Sequence, residues 1–344
     1  MRILLALLAL ATAGSAIASE HRSTFANPVV NSDFRDPAIL RARDGFYYAY
    51  ATQAVRDGKW VNLQVARSSD LFAWEPLGDA LPVKPGWASK TQDFRAPHVA
   101  EHLGRYYLYY SARSDEASAD DRKGQCLAVA TADRPEGPFT DMGRPLECGP
   151  GVVNIDPMSF EDGATGARLL YWGSGSGPIK VRELARDRLS FAPGSKAIDL
   201  IHPVKNSPDR TLVGAPWVEH RGGLYYLFYS GGDCCGSGVH NAVMVARSES
   251  ATGPFELQPA ILLERASNWI GPGHASVIDD AHGESWIVYH AVDSARPGTK
   301  PIDEAGSKRV MLLDHLVWTD DWPQVKGPTS GPQRRRYPER WAKD

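Results

Sequence analysis

Gly104-Arg-Tyr-Tyr-Leu-Tyr-Tyr-Ser111 and Gly223-Leu-Tyr-Tyr-Leu-Phe-Tyr-Ser230 are two copies of one aromatic strand. The chain carries three more: Gly45-Phe-Tyr-Tyr-Ala-Tyr50, Ala167-Arg-Leu-Leu-Tyr-Trp-Gly-Ser174 and Glu284-Ser-Trp-Ile-Val-Tyr-His290. Upstream of each lies a short apolar run with a fixed start: Asp36-Pro37, Ala96-Pro97, Asp156-Pro157, Ala215-Pro216 and His274-Ala275. The second residues of these pairs are 60, 60, 59 and 59 positions apart. A third run recurs downstream, starting at Leu63, Leu127, Ile179, Val243 and Val310. A fourth, weaker piece often carries Trp or Phe, at Phe72-Ala-Trp74, Pro138-Phe-Thr140, Pro254-Phe-Glu-Leu257 and Leu316-Val-Trp318.

Each unit therefore holds four short β-rich runs separated by Gly, Pro, Asp and Asn turns. Little of the chain has helical periodicity. A sandwich rarely yields five in-register repeats, and the coils of a β-helix are far shorter than sixty residues. The pattern predicts an all-β, five-bladed β-propeller with four antiparallel strands per blade.

The 344 residues carry 38 basic and 41 acidic side chains, a formal charge of −3, which gives no global field for nucleic acid or an anionic membrane. Ten Trp, thirteen Tyr and ten Phe exclude a disordered chain. Arg2, the apolar run Ile3 to Ala13 and Ala16-Ile17-Ala18 read as a signal peptide over residues 1–18. That run is too short to span a bilayer. The expectation is a secreted or periplasmic monomer, with one propeller over residues 19–344 and a short basic, solvated tail at Arg334-Arg335-Arg336. Cys126, Cys148, Cys234 and Cys235 allow three disulfide pairings, and Cys126 with Cys148 could staple one local excursion.

In a propeller the first strand of each blade lines the central channel, so Asp36, Ala96, Asp156, Ala215 and His274 should ring one mouth. Two carboxylates and an imidazole facing one cavity are costly to bury unless used. Flat platforms for a sugar ring are expected from Phe34, Phe94, Trp172, Trp217 and Trp269. Arg35 and Arg95, each one residue before its ring position, could bond hydroxyls or a carboxylate, or neutralise the acids.

These features resemble glycoside hydrolase family 43, five-bladed propellers that cleave arabinan and xylan linkages. The resemblance rests on Phe34-Arg-Asp-Pro-Ala-Ile39, Asn154-Ile-Asp-Pro157, Leu170-Tyr-Trp-Gly-Ser-Gly175, Thr252-Gly-Pro-Phe255, Gly271-Pro-Gly-His274 and Tyr289-His290. It implies that Asp36 is the general base and that Asp156 orients the acid and raises its pKa. It also implies that His274 reaches a central, mostly water-held calcium or other cation, no cofactor being required for the reaction. The family's general acid is a Glu before Ala-Pro; here Gly214-Ala-Pro216 leaves that position to a glycine. Glu219 and His98 are the substitutes to consider. The resemblance favours inverting hydrolysis of α-L-arabinofuranosyl linkages in arabinan- or arabinoxylan-type carbohydrate. A carbohydrate-binding propeller without catalysis and a β-xylosidase remain open.

Overall fold

Every repeat folds into one antiparallel sheet. The computed structural model describes residues 24–117, 124–207, 209–232, 240–295 and 308–335. The blades run, innermost strand first, Ala38–Arg41, Tyr47–Ala51, Gln64–Ser68, Glu75–Asp79; Phe94–His102, Arg105–Arg113, Gln125–Ala132, Thr140–Asp141; Met158–Glu161, Arg168–Trp172, Ile179–Glu183, Ile198–Ile201; Val213–Arg221, Leu224–Gly231, Ala242–Ser248, Glu256–Leu257; and Trp269–Asp279, Ser285–Asp293, Val310–Val317, Gln324–Val325. First strands of successive blades touch in a closed circle, blade 5 meeting blade 1. The five-bladed, all-β expectation holds, with a single 3-10 turn at Gly86–Ala88 as the only helical piece among the described residues.

The aromatic strand is the second of each blade, and its tyrosines explain the repeat. Their rings fill the space between blades while their hydroxyls bond loops of the neighbouring blade. Tyr50 donates to the carbonyl of Pro135, Tyr109 to that of Arg188 and Tyr171 to that of Ala251, at 2.6–2.9 Å. Each ring thus supplies apolar area and satisfies its own polar tip, so burial leaves no orphaned hydroxyl.

Closure is made by the chain's first described residues. Val30 bridges Met311 in blade 5, and Thr24–Phe25 pairs with Gln333–Arg334. This corrects the solvated tail at its start: Arg334 sits in that two-stranded ladder, and Arg335 bonds Asp70 at 3.1 Å with its guanidinium over the Phe72 ring. Arg336 and residues 1–18 lie outside the described residues.

The fourth strands also differ from expectation. Phe72-Ala-Trp74 is a turn before the strand Glu75–Asp79, its backbone N–H groups held by Asp70, and Leu316-Val317 closes the third strand of blade 5. These aromatics mark inter-blade packing rather than the outer strand: Phe72 meets Phe25 and Trp286 at 4.7 and 5.3 Å. Cys126 and Cys148 form a disulfide between cross-strand partners in blade 2. Cys234 and Cys235 lie outside the described residues.

Candidate active site

The five ring residues share one backbone device. Asp36, Ala96, Asp156, Ala215 and His274 have φ of 57, 46, 61, 53 and 50°, the left-handed region, at the same point of every blade. For a residue with a Cβ this costs roughly 1–2 kcal/mol. Pairing register slips at this point in blades 2, 4 and 5, so the bulged residue is turned into the mouth.

Side chains of neighbouring blades stabilise the kinks. The Asp36 N–H donates to His290 Nδ1 (3.0 Å), Ala96 N–H to Thr52 Oγ1 (2.8 Å), Ala215 N–H to Asp156 Oδ2 (3.2 Å) and His274 N–H to Ser230 Oγ (2.8 Å). Sequence reasoning missed Thr52, Ser230 and the role of His290. The available signal was their shared position near the end of each blade's aromatic strand.

The ring opens on a cavity of about 290 Å³ lined by Arg35, Asp36, Arg95, Asp156, Ser174, Gly214, His274, His290 and Arg309, with Val152, Ile155 and Leu212 as its apolar wall. A larger hollow of about 740 Å³ beside blade 1 is lined by Val29, Phe34 and Trp74 and holds none of the ring residues. The chemistry therefore belongs to the smaller cavity.

His274 Nδ1 lies 3.7 Å from Asp36 Oδ1 and 3.9 Å from Asp156 Oδ1, so those two oxygens are no more than about 8 Å apart. Thr52 Oγ1 donates to Asp36 Oδ2 at 2.5 Å. His290 Nδ1 faces both the Asp36 N–H and, at 3.3 Å, its Oδ1. With its proton on Nε2 the ring accepts the N–H; protonated at Nδ1 it donates to the carboxylate.

The two carboxyls are driven apart. Burial pushes Asp36 up, but the His290 hydrogen bond and the charges of His274, His290 and Arg309 outweigh it and hold Asp36 well below the usual carboxylate range. Burial also pushes Asp156 up; His274 opposes it, Asp36 adds to it, and the result is about 6. Between those limits one acid is ionised and its neighbour protonated, the condition for a base and an acid in one site. Thr52→Val, which keeps the shape but removes the hydroxyl, is expected to raise the acidic limb of the activity profile and lower kcat about tenfold, because Asp36 loses a hydrogen bond to its charged form. An unshifted limb in a kcat–pH series would remove Thr52 from the account.

The position expected for the acid is filled rather than vacant. A Cβ on Gly214 would lie 2.8 Å from Ser174 Oγ, 2.9 Å from Ser174 Cα and 3.0 Å from the carbonyl oxygen of Gly173. Two of those contacts are backbone, so any side chain there must move the 173–174 segment. Gly214→Ala is expected to cost roughly 1–3 kcal/mol by overpacking, a fall of a few °C in Tm. An unchanged melting curve would show that this segment yields freely.

The two substitutes do not reach the cavity. Glu219 follows Gly214 by five residues on the same strand, well below the mouth as its register implied, and accepts the Trp217 indole N–H at 2.9 Å. Burial raises it to about 7, the right range in the wrong place. His98 packs edge-on against Trp217 at 5.3 Å, and burial lowers it to about 3, so it is a neutral plug below the ring.

All five expected aromatic platforms are corrected by burial. Phe34 (3% exposed) packs between blades 1 and 5, and Trp172 (0%) bonds Asn154 in the layer between blades 2 and 3. Trp217, Phe94 and Trp269 are also buried. Large aromatics at these positions pack rather than bind, and none lines the cavity. Arg35 and Arg95 do line it.

Among the described residues no three His, Cys, Asp or Glu side chains are grouped to hold a metal, and a single imidazole would leave the ion to water.

The sequence matches the family described as Glycosyl hydrolases family 43 over residues 25–323. The chain belongs to that family. It is 29% identical over 309 residues to a beta-D-galactofuranosidase of Aspergillus niger, covering 86% of this chain and 82% of that protein. It is 28% identical over 332 residues to a probable arabinan endo-1,5-alpha-L-arabinosidase A of Aspergillus flavus, covering 88% and 94%. Among solved structures, a thermostable family-43 glycoside hydrolase superposes with a TM-score of 0.74 at 27% identity, covering 92% of this chain and all of that one. The family-43 propeller is thus the frame on which the Asp36–Asp156 mouth sits.

Proposed function

We propose that this family-43 chain hydrolyses furanosyl or xylosyl linkages of plant polysaccharide, with α-L-arabinofuranosyl linkages the first choice, and inverts the anomeric centre. The observation that carries the reading is the pair of carboxyls around His274, one held ionised and one held protonated. Asp36 accepts a proton from a water as the water oxygen attacks the anomeric carbon. The bond from that carbon to the leaving oxygen breaks, and the leaving oxygen takes a proton. In the family's pattern a Glu supplies it and Asp156 tunes that Glu; with Gly214 walled in by Ser174, Asp156 has no such partner among the described residues. Asp156 therefore supplies the proton itself. The upper limit of about 8 Å on the carboxylate separation leaves room for an inverting pair, which needs ~6.5–9.5 Å.

The pH dependence follows from the two shifts. Activity needs Asp36 ionised and Asp156 protonated, so it should fall as pH rises through about 6 and hold on the acid side down to the depressed pKa of Asp36. A kcat/KM profile from pH 3 to 8 tests this, and a plateau extending past pH 8 would rule out Asp156 as the donor. Assaying linear arabinan, xylo-oligosaccharides and an aryl galactofuranoside side by side tests the linkage.

The occupied acid position also favours a second reading, a carbohydrate-binding propeller without turnover. It predicts oligosaccharide binding with no product from any of these substrates. The signal-like N-terminus and the relatives' substrates support export and action on extracellular glycan.

A further inference from the structure

Asp33-Phe-Arg35 and Asp93-Phe-Arg95 repeat one tripeptide at the same point of blades 1 and 2. Each arginine is held from behind by the aspartate two residues earlier. Arg35 meets Asp33 through Nε (3.3 Å) and Nη2 (2.6 Å), and Arg95 meets Asp93 through Nε. Asp93 is itself fixed by Gln125 Nε2 at 2.6 Å, and Asp33 by the Arg309 N–H at 3.3 Å. Both guanidinium groups line the cavity that holds Asp36 and Asp156, while Asp33 and Asp93 stay outside it. Arg95 is the more open, its side chain 44% exposed against 14% for Arg35. No described residue bonds its Nη1 or Nη2.

A guanidinium presents five N–H donors in a planar fork that matches an oxyanion, and pinning one edge to a carboxylate orients the other. Neutral sugar hydroxyls need no such pair. We propose that Arg35 and Arg95 form an oxyanion subsite, so that the glycan bound at this mouth carries an acidic substituent, a uronate carboxylate or a sulfate ester, on a sugar next to the scissile linkage. This deepens the proposed function, since it rests on the mouth being a glycan site. The bond is a charge-assisted one, and Arg95, on the outer edge, makes the larger part of it.

The experiment measures Kd by calorimetry for a glucuronic acid-bearing xylo-oligosaccharide, its twin with the carboxyl reduced to an alcohol, and a sulfated analogue. It uses the full chain and its Arg95→Gln, Arg95→Lys and Arg35→Gln variants, with melting curves as a folding control. The wild type should prefer an acidic ligand over the neutral twin at least tenfold, equal to about 1.4 kcal/mol. The preference should fall to about one in Arg95→Gln, recover in part in Arg95→Lys, and weaken with salt. Whether the uronate or the sulfate binds more tightly identifies the source of the oxyanion. Equal Kd values for the twins, no binding of either, or a preference that survives both Gln variants overturns the proposal. Turnover of the same ligands separates the two readings. Hydrolysis without acidic preference leaves the glycosidase and removes the subsite; arginine-dependent acidic preference without hydrolysis leaves the subsite and removes the glycosidase.

Discussion

Asp36→Asn is expected to lower kcat/KM by about 10²–10⁴-fold on every substrate the chain cleaves, the usual contribution of a positioned general base. The environment of Asp36 is built around its negative charge. It receives the Thr52 hydroxyl, lies 3.3 Å from His290 Nδ1 and 3.7 Å from His274 Nδ1, and is stabilised by Arg309. An amide keeps an oxygen for Thr52 but cannot take a proton from water, so binding should survive where turnover does not. The loss should be the same for good and poor leaving groups, because the base acts on the water and not on the departing sugar. Parallel kcat/KM values and calorimetric affinities for the two proteins check this; a loss below tenfold would exclude Asp36 as the base.

Asp156→Asn should behave differently. If Asp156 gives its proton to the leaving oxygen, the variant loses about 10²–10⁴-fold on oligosaccharides, whose leaving alcohols need protonation. On a nitrophenyl glycoside, whose leaving group departs unaided, the loss should be less than tenfold. The alkaline limb near pH 6 should vanish with it, since the group that titrates there is gone. An equal loss on both substrate classes would make Asp156 a positioning residue, acting through its bond to the Ala215 N–H. The contrast between the two variants is informative because both residues occupy the same backbone kink and share the same imidazole neighbour.

Much of this was legible in the chain because propellers repeat. Five pair-opening residues at a sixty-residue spacing placed Asp36, Asp156 and His274 on one ring, and the structure brings them within 4 Å contacts of a single nitrogen. The aromatic platforms were misplaced for a physical reason: an aromatic such as Trp172, at the end of the second strand of its blade, fills the wedge between blades, where burial gains more than a rim position would. Thr52 and His290 shared a position near the end of the aromatic strand, but their partners appear only in the fold: Thr52 meets Asp36 of its own blade and the Ala96 N–H of the next, and His290 meets a backbone N–H 254 positions away across the closure of the ring. The same limit hid the fate of Gly214. Its sequence shows a missing Glu, but only the approach of Ser174 from the neighbouring blade shows that the space has been taken.

The most direct measurement is the anomeric configuration of the first product released from arabinan and xylo-oligosaccharides at pH 5, followed by NMR for the wild type beside Asp36→Asn. The account predicts sugar released with inverted configuration by the wild type and none at a comparable rate by the variant. Release with retained configuration, or oligosaccharide binding with no release by either protein, would contradict it.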